Sequence, residues 1–307
     1  MGSIIFSLDA ELAWGFHDEE IIPTDRVYQG RKAWQELVDL FDQFDVPATW
    51  AIVGHLFLSE CNGNHGNIVS TNNWFARDPG GNVEEAPQWF GPNLIESVSK
   101  ANVDHEIATH TFSHVEFGKK STTKDIAREE IQKSIKIAEE WGNNIKSVVY
   151  PRNNIGYREV LADQGIICYR GQEPMKWYDE SKVYPLMKFA STLSSSAPKL
   201  VSPVIDEYGL VNVPASMYLF TFDQPLGIFT EPVLGDVIVR RVKRGIDAVA
   251  GSDKILHLWL HPNNLTQESY FDRMYAILKY VARKRQQTDL RVQTMAEIAE
   301  EHITHGT

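Results

Sequence analysis

His110 and His114 stand four residues apart at the end of an alternating run, Asp104-His105-Glu106-Ile107-Ala108-Thr109. On a helical turn, positions i and i+4 share one face, so both imidazoles would reach a single metal ion. A pair of this kind standing alone is better read as a helix cap and a surface residue. Three further stretches alter that reading: Ser7-Leu8-Asp9-Ala10-Glu11, Tyr150-Pro151-Arg152-Asn153 and Leu258-Trp259-Leu260-His261-Pro262. Each ends a run that reads as a strand. Together they supply an acid, a metal-binding pair, a cation and another histidine.

The elements that must position these residues alternate along the chain. Strands are expected at 2–9, 48–54, in the alternating run that opens at Asp104 ahead of the two histidines, 147–150, 166–170, 210–215 and 255–261, with a short one at 290–294, from β-branched and aromatic content. Amphipathic helices are expected at 24–44, 93–100, 122–141, 233–250, 266–285 and 295–302. In an extended first strand, Ser7, Asp9 and Glu11 face one way and Leu8 and Ala10 the other. About seven strand–helix alternations predict a parallel sheet with helices outside, closed into a distorted (β/α) barrel. The chemical residues then fall at strand C-terminal ends, where barrels build their sites. An open doubly wound sheet is the alternative, but no Gly-x-Gly-x-x-Gly follows the first strand.

No domain boundary interrupts the pattern, so 1–307 is expected to be one domain carrying two long loops, 60–92 and 171–209. A loop as long as the first is functional or disordered in a compact domain, and its Trp74, Phe75, Trp89 and Phe90 favour a cap. The chain has 307 residues, 43% of them apolar, and a net charge of −11, which disfavours a nucleic-acid partner. No apolar window is long enough for a transmembrane helix, and no basic leader precedes the first strand. The two cysteines, Cys61 and Cys168, are too few for a disulfide framework. A cytoplasmic enzyme is the expectation.

Along most of its length the chain resembles the polysaccharide deacetylases, carbohydrate esterases that include chitooligosaccharide and peptidoglycan deacetylases. His110-Thr111-Phe112-Ser113-His114 is similar to the family's His-Ser/Thr-x-x-x-His motif, and Leu258-Trp259-Leu260-His261 to Leu-x-Leu-His. Ser7-Leu8-Asp9-Ala10-Glu11 approximates Thr-Phe-Asp-Asp-Gly, and Tyr150-Pro151-Arg152-Asn153 loosely matches Arg-x-Pro-Tyr. The resemblance implies hydrolysis of an N-acetyl group on a sugar or glycan, with Zn2+ or another divalent transition metal as cofactor. It further implies Asp9 as base, His261 as acid and Arg152 as the cation that orients Asp9. An oxyanion donor near Asn153 would complete the set. Trp14, Trp74 and Trp89 are candidate sugar platforms.

One departure matters. The family's second aspartate, a metal ligand, is Ala10 here, so Glu11, on the side of Asp9, takes that place beside His110 and His114. The competing assignment has Asp9 on the metal. Two other functions stay open: a metal-independent amidohydrolase of the same superfamily acting on a small ureide, and a carbohydrate-binding protein without turnover.

Overall fold

All eight residues of Ser3–Ala10 (β1) are buried, although polar and apolar side chains alternate along them. A strand covered on one side would expose one of its two rows. Here both rows are covered, because β1 lies at the heart of a curled, mostly parallel sheet wrapped by helices. The computed structural model describes residues 1–65, 74–174, 196–220 and 236–305.

The strands that follow β1 are β2 (Thr49–Ile52), β3 (Glu60–Cys61), β4 (Gly81–Asn82), β5 (Glu106–Thr109), β6 (Ser147–Val148) and β7 (Cys168–Gly171). Then come β8 (Val204–Ile205), β9 (Val211–Pro214), β10 (Met217–Tyr218), β11 (Ile255–Leu260) and β12 (Arg291–Val292). The helices are α1 (Thr24–Gln43), α2 (Pro92–Ser99), α3 (Lys124–Glu140), α4 (Arg158–Asp163), α5 (Val237–Ala250), α6 (Glu268–Arg285) and α7 (Met295–His305). The sheet runs β10-β11-β1-β2-β5-β6-β7-β9-β8, with β12 also paired to β1 and only β8 antiparallel. Val201, just ahead of β8, bridges Ile255 of β11, so the far end of the sheet returns to its beginning. No described helix is long and apolar enough to cross a membrane.

The seven principal strands expected from the sequence are present in order. The brief β8 and β10, the β3–β4 pair and the six-residue α4 were not anticipated, being too short to show a period. The expected loop 171–209 lies outside the described residues at 175–195, as does the expected start of α5 at 233–235.

The two rows of β1 serve different layers. Ile4, Phe6, Leu8 and Ala10 pack outward in one continuous core with helical residues such as Trp34, Leu37 and Phe41. Trp34 stacks on Trp50 of β2 with ring centroids 5.4 Å apart, and Phe6 meets Phe41 edge-on. The inward row begins with Ser3 and Ile5. Ile5, Ala51, Ala108, Val149, Cys168, Val211, Val213 and Ile255 form a separate interior cluster with Met295, Ile298 and Ala299 of α7. Helix α7 thus plugs the barrel at its strand N-terminal end.

That plug is fixed by polar contacts. Thr294 and Glu297 cap α7 reciprocally: the Glu297 carboxylate accepts from the Thr294 N–H at 2.7 Å, and the Thr294 hydroxyl from the Glu297 N–H at 3.3 Å. Glu106, half-buried at the start of β5, accepts from the Ala296 N–H and from Thr49 and Ser147. Met295 is fully buried inside the barrel. Met295→Ala is expected to lower unfolding free energy by about 2–5 kcal/mol through lost burial and a residual cavity. Urea titration should show a reduced midpoint at unchanged slope.

Candidate functional site

Moving up the inward row of β1, polar groups replace apolar ones. Ser7 and Asp9 face the barrel axis, as do His257 and Arg170 from β11 and β7. Arg170 is fully buried and grips Asp9 with both terminal nitrogens, Nη1 to Oδ1 at 2.5 Å and Nη2 to Oδ2 at 2.7 Å. A guanidinium only donates, so Arg170 Nη1 also donates to Ser7 Oγ at 3.2 Å. The Ser7 hydroxyl then donates to His257 Nε2 at 2.8 Å, and His257 Nδ1 donates to the Pro214 carbonyl at 3.2 Å. Burial, with Arg170 nearby, pushes the His257 pKa down to about 3, which keeps it neutral. Burial alone would raise the Asp9 pKa, yet Arg170, followed by His261 and His110, holds it below its ordinary value.

This corrects the expectation for Arg152. Its side chain is 41% exposed and pairs with Asp18 at 2.6 Å, with Glu116 and Glu19 farther off, so it does not touch Asp9. The cation comes instead from a strand end whose neighbours, Cys168-Tyr169-Arg170-Gly171, match no motif. Alternation along β7 was the one available signal, since Arg170 shares the side of the inward Cys168.

The two histidines follow β5, in a loop rather than on the helical turn expected. Thr111 and His114 both have left-handed backbone, with φ of 62° and 64°. The loop is held by backbone bonds, Gly54 N–H to Thr111 O at 2.9 Å and His55 N–H to Phe112 O at 2.8 Å. His110 Nδ1 donates to the Val149 carbonyl at 2.8 Å, which leaves the lone pair of Nε2 free; that buried atom has no hydrogen-bond partner. It lies 3.6 Å from Glu11 Oε2, and His114 Nε2 lies 3.2 Å from the same oxygen. Burial lowers the His114 pKa, favouring the neutral, ligating form.

Glu11 reaches this place because the chain turns sharply after β1, Leu12 taking φ 46°. Gly15 opens the space beside it: a Cβ there would lie 2.3 Å from the Glu11 carboxylate. Burial would raise the Glu11 pKa, but His261, His110 and His114 hold it well below the ordinary value. His261 completes the group from the end of β11. Its Nε2 is 3.5 Å from Asp9 Oδ2 and 3.9 Å from Glu11 Oε1, and at 23% side-chain exposure it is the part of the site nearest solvent. Asp9, Glu11, His110, His114 and His261 therefore converge. The unpartnered His110 nitrogen facing a deprotonated carboxylate fits a divalent cation held by Glu11, His110 and His114.

Other expectations need correction. The Asn153 backbone N–H donates to the Tyr150 carbonyl at 2.9 Å, so it is not free for an oxyanion. The Asn153 side chain accepts from Arg170 Nη2 at 3.0 Å. Trp14 and Trp89 are buried against each other, edge to face at 5.1 Å, and offer no face to a sugar. Trp74 is half-buried, donates to Ser113 O at 3.0 Å and lies over His17, so the 60–92 segment reaches the histidine loop. Two aromatics on the opposite side were missed. Trp259, half-buried, carries Arg170 at 4.4 Å above its ring, and Tyr218 packs 4.5 Å from it. Alternation puts Trp259 on the same strand face as His261; its contact with Arg170, from β7, is what the sequence does not show.

The histidine loop is braced from α3. Glu130 is buried and accepts from the Ser113 N–H at 2.8 Å and hydroxyl at 2.7 Å. Burial nonetheless raises its pKa from 4.5 to about 7. The native state therefore binds more protons than the unfolded chain between those values, and stability falls as pH rises through that window. The full displacement is worth about 3 kcal/mol. In EDTA-treated protein, the urea stability of the wild type relative to Glu130→Gln is expected to fall between about pH 5 and pH 8; the comparison cancels the buried histidines, whose lowered pKa values act in the opposite sense.

Comparison with known proteins agrees with the fold. Residues 22–162 match the family model described as polysaccharide deacetylase. No curated protein matches the sequence. Among solved structures, a candidate polysaccharide deacetylase from Mycobacterium smegmatis superposes with a TM-score of 0.63 at 17% identity, covering 99% of this chain and 90% of that one. A probable polysaccharide deacetylase from Pseudomonas aeruginosa PAO1 gives 0.60 at 14%, covering 99% and 92%. The PuuE allantoinase gives 0.58 at 15%, covering 99% and 91%.

Proposed function

We propose, on the premise that the chain is a hydrolase of the polysaccharide deacetylase type, that it hydrolyses an N-acetyl group of a sugar or glycan with a divalent metal such as zinc. The observation that carries this reading is the meeting of Glu11, His110 and His114 beside an arginine-bound Asp9. Glu11, His110 and His114 would hold the metal, which supplies Lewis acidity, polarising an amide carbonyl and acidifying water. Asp9 takes the proton of the attacking water. Arg170 keeps this carboxylate ionised but also makes it a weak base, so the nucleophile must be acidified for transfer to proceed. His261, on the side open to solvent, delivers a proton from Nε2 to the departing amine. Arg170 acts through Asp9 and is a positioning residue, and Ser7 and His257 hold it in turn. Trp74 and Trp259, half-buried on two sides of the site, are the aromatic faces available to a sugar.

Acetate release from N-acetylated oligosaccharides, measured with and without chelation, tests the reading. Metal-dependent release is expected. Turnover that survives complete metal removal would select a metal-independent amidohydrolase instead, and no release from any acetylated glycan would select a binding protein.

Variants separate the roles. Glu11→Ala is expected to lose the metal, whereas Asp9→Asn keeps it and loses at least ~100-fold in kcat. The reverse pattern would place Asp9 on the metal. Arg170→Gln should lower kcat and move the acidic limb of the rate profile to higher pH, because the Asp9 pKa rises when its cation is gone. Arg152→Ala should leave both within about twofold, as befits an exposed ion pair.

A further inference from the structure

A second group of potential ligands lies under the 60–92 segment, apart from the residues assigned to catalysis. His55 follows β2, Cys61 sits in β3, His65 follows it, and Asp78 precedes β4. One ligand atom from each lies within 4.8 Å of every other. Asp78 Oδ2 is 2.5 Å from His65 Nε2, 3.3 Å from His55 Nε2 and 3.7 Å from Cys61 Sγ, and Cys61 Sγ is 3.5 Å from His65 Nε2. Ligands at metal distances of about 2.0–2.3 Å in a tetrahedron stand about 3.3–3.7 Å apart. Three of these four separations already fit, and the short His65–Asp78 hydrogen bond lengthens on binding.

Two rival readings of the cluster fail on geometry. A Cys-His-Asp catalytic triad needs the thiol and the carboxylate on opposite nitrogens of one imidazole. Here both meet the same atom, His65 Nε2. Nor is this a plain buried ion pair, because two imidazole Nε2 atoms, from His55 at 3.3 Å and His65 at 2.5 Å, and the Cys61 thiol at 3.7 Å converge on the one oxygen Asp78 Oδ2. Backbone N–H groups orient two of these side chains, as is common for ligands. The Gly63 N–H donates to Cys61 Sγ at 3.3 Å and the Gly80 N–H to Asp78 Oδ1 at 3.0 Å. Both glycines have positive φ, 72° and 66°, so that each N–H folds back on the residue two before it. Burial raises the Cys61 pKa, so without a cation the thiol is a poor nucleophile.

We propose that His55, Cys61, His65 and Asp78 bind a zinc-type divalent ion that fastens the cap to the barrel. Four protein ligands leave no open position, which makes the site structural. Three come from the cap and His55 from the end of β2, where its ring contacts Trp14 at 4.5 Å and Phe90 at 5.4 Å.

Cobalt(II) substitution of the full chain tests this, since of the two candidate metal clusters among the described residues this one alone contains a cysteine. The metal-depleted protein titrated with cobalt should develop a near-ultraviolet thiolate-to-cobalt band. The band should vanish in Cys61→Ser and in His65→Ala, while His110→Ala and His114→Ala keep it. Cobalt binding without a thiolate band in the wild type, or a band that survives Cys61→Ser, overturns the proposal. The band reports on this site alone, so the absence of metal at Glu11, His110 and His114 would leave it standing.

Discussion

A carboxylate placed on the axis of an apolar barrel must have its charge matched where water cannot reach, and Asp9 obtains that match from Arg170. Both groups are buried, so the pair costs several kcal/mol of desolvation for each ion before any attraction is counted. An apolar pair of equal volume would serve the barrel at least as well. The arrangement is therefore better understood through what it holds than through stability. It maintains an ionised, oriented carboxylate beside two histidines and a second carboxylate. Removing one partner would leave an uncompensated buried charge, which is why Ser7 and His257 are engaged to keep Arg170 in place.

The polar column above the barrel's apolar plug follows the same constraint. Each hydrogen bond linking Pro214, His257, Ser7, Arg170 and Asp9 runs in one direction, because the guanidinium only donates; Arg170 Nε alone in this column is buried without a partner. At the opposite end Glu106 and the capped start of α7 close the interior with their own hydrogen bonds. Between them lies a dry layer of Ile5, Ala51, Ala108, Val149 and Val213. The barrel thus separates a polar end that anchors a helix from a polar end equipped for chemistry.

The described residues of the 60–92 segment contribute in two ways. Trp74 ties it to the histidine loop through Ser113, while His55 and Asp78 tie it to the end of β2. Trp14 and Trp89 fill the seam between cap and barrel. Aromatic richness in this segment is mainly a packing property, with Trp74 the exception.

Much of this was legible in the linear chain. Alternation in Ser3–Ala10 put Ser7, Asp9 and Glu11 on one side, and the spacing of His110 and His114 announced a shared target. The order of strands and helices followed from periodicity, because burial on sheet and helix faces repeats every two and every 3.6 residues. What the sequence by itself could not determine were meetings between distant strands. Arg170 lies 161 residues from Asp9, and its place depends on the register in which β7 curls round to face β1. Arg152 looked equally suitable until a left-handed turn directed it towards solvent and Asp18. His110 and His114 were expected on a helix, yet they meet through a loop whose backbone is fixed by bonds to β2 and its following turn. His55, Cys61, His65 and Asp78 share no periodic spacing at all; only the folding of the cap over the barrel brings their ligand atoms together, because proximity in a tertiary fold is set by packing and not by distance along the chain.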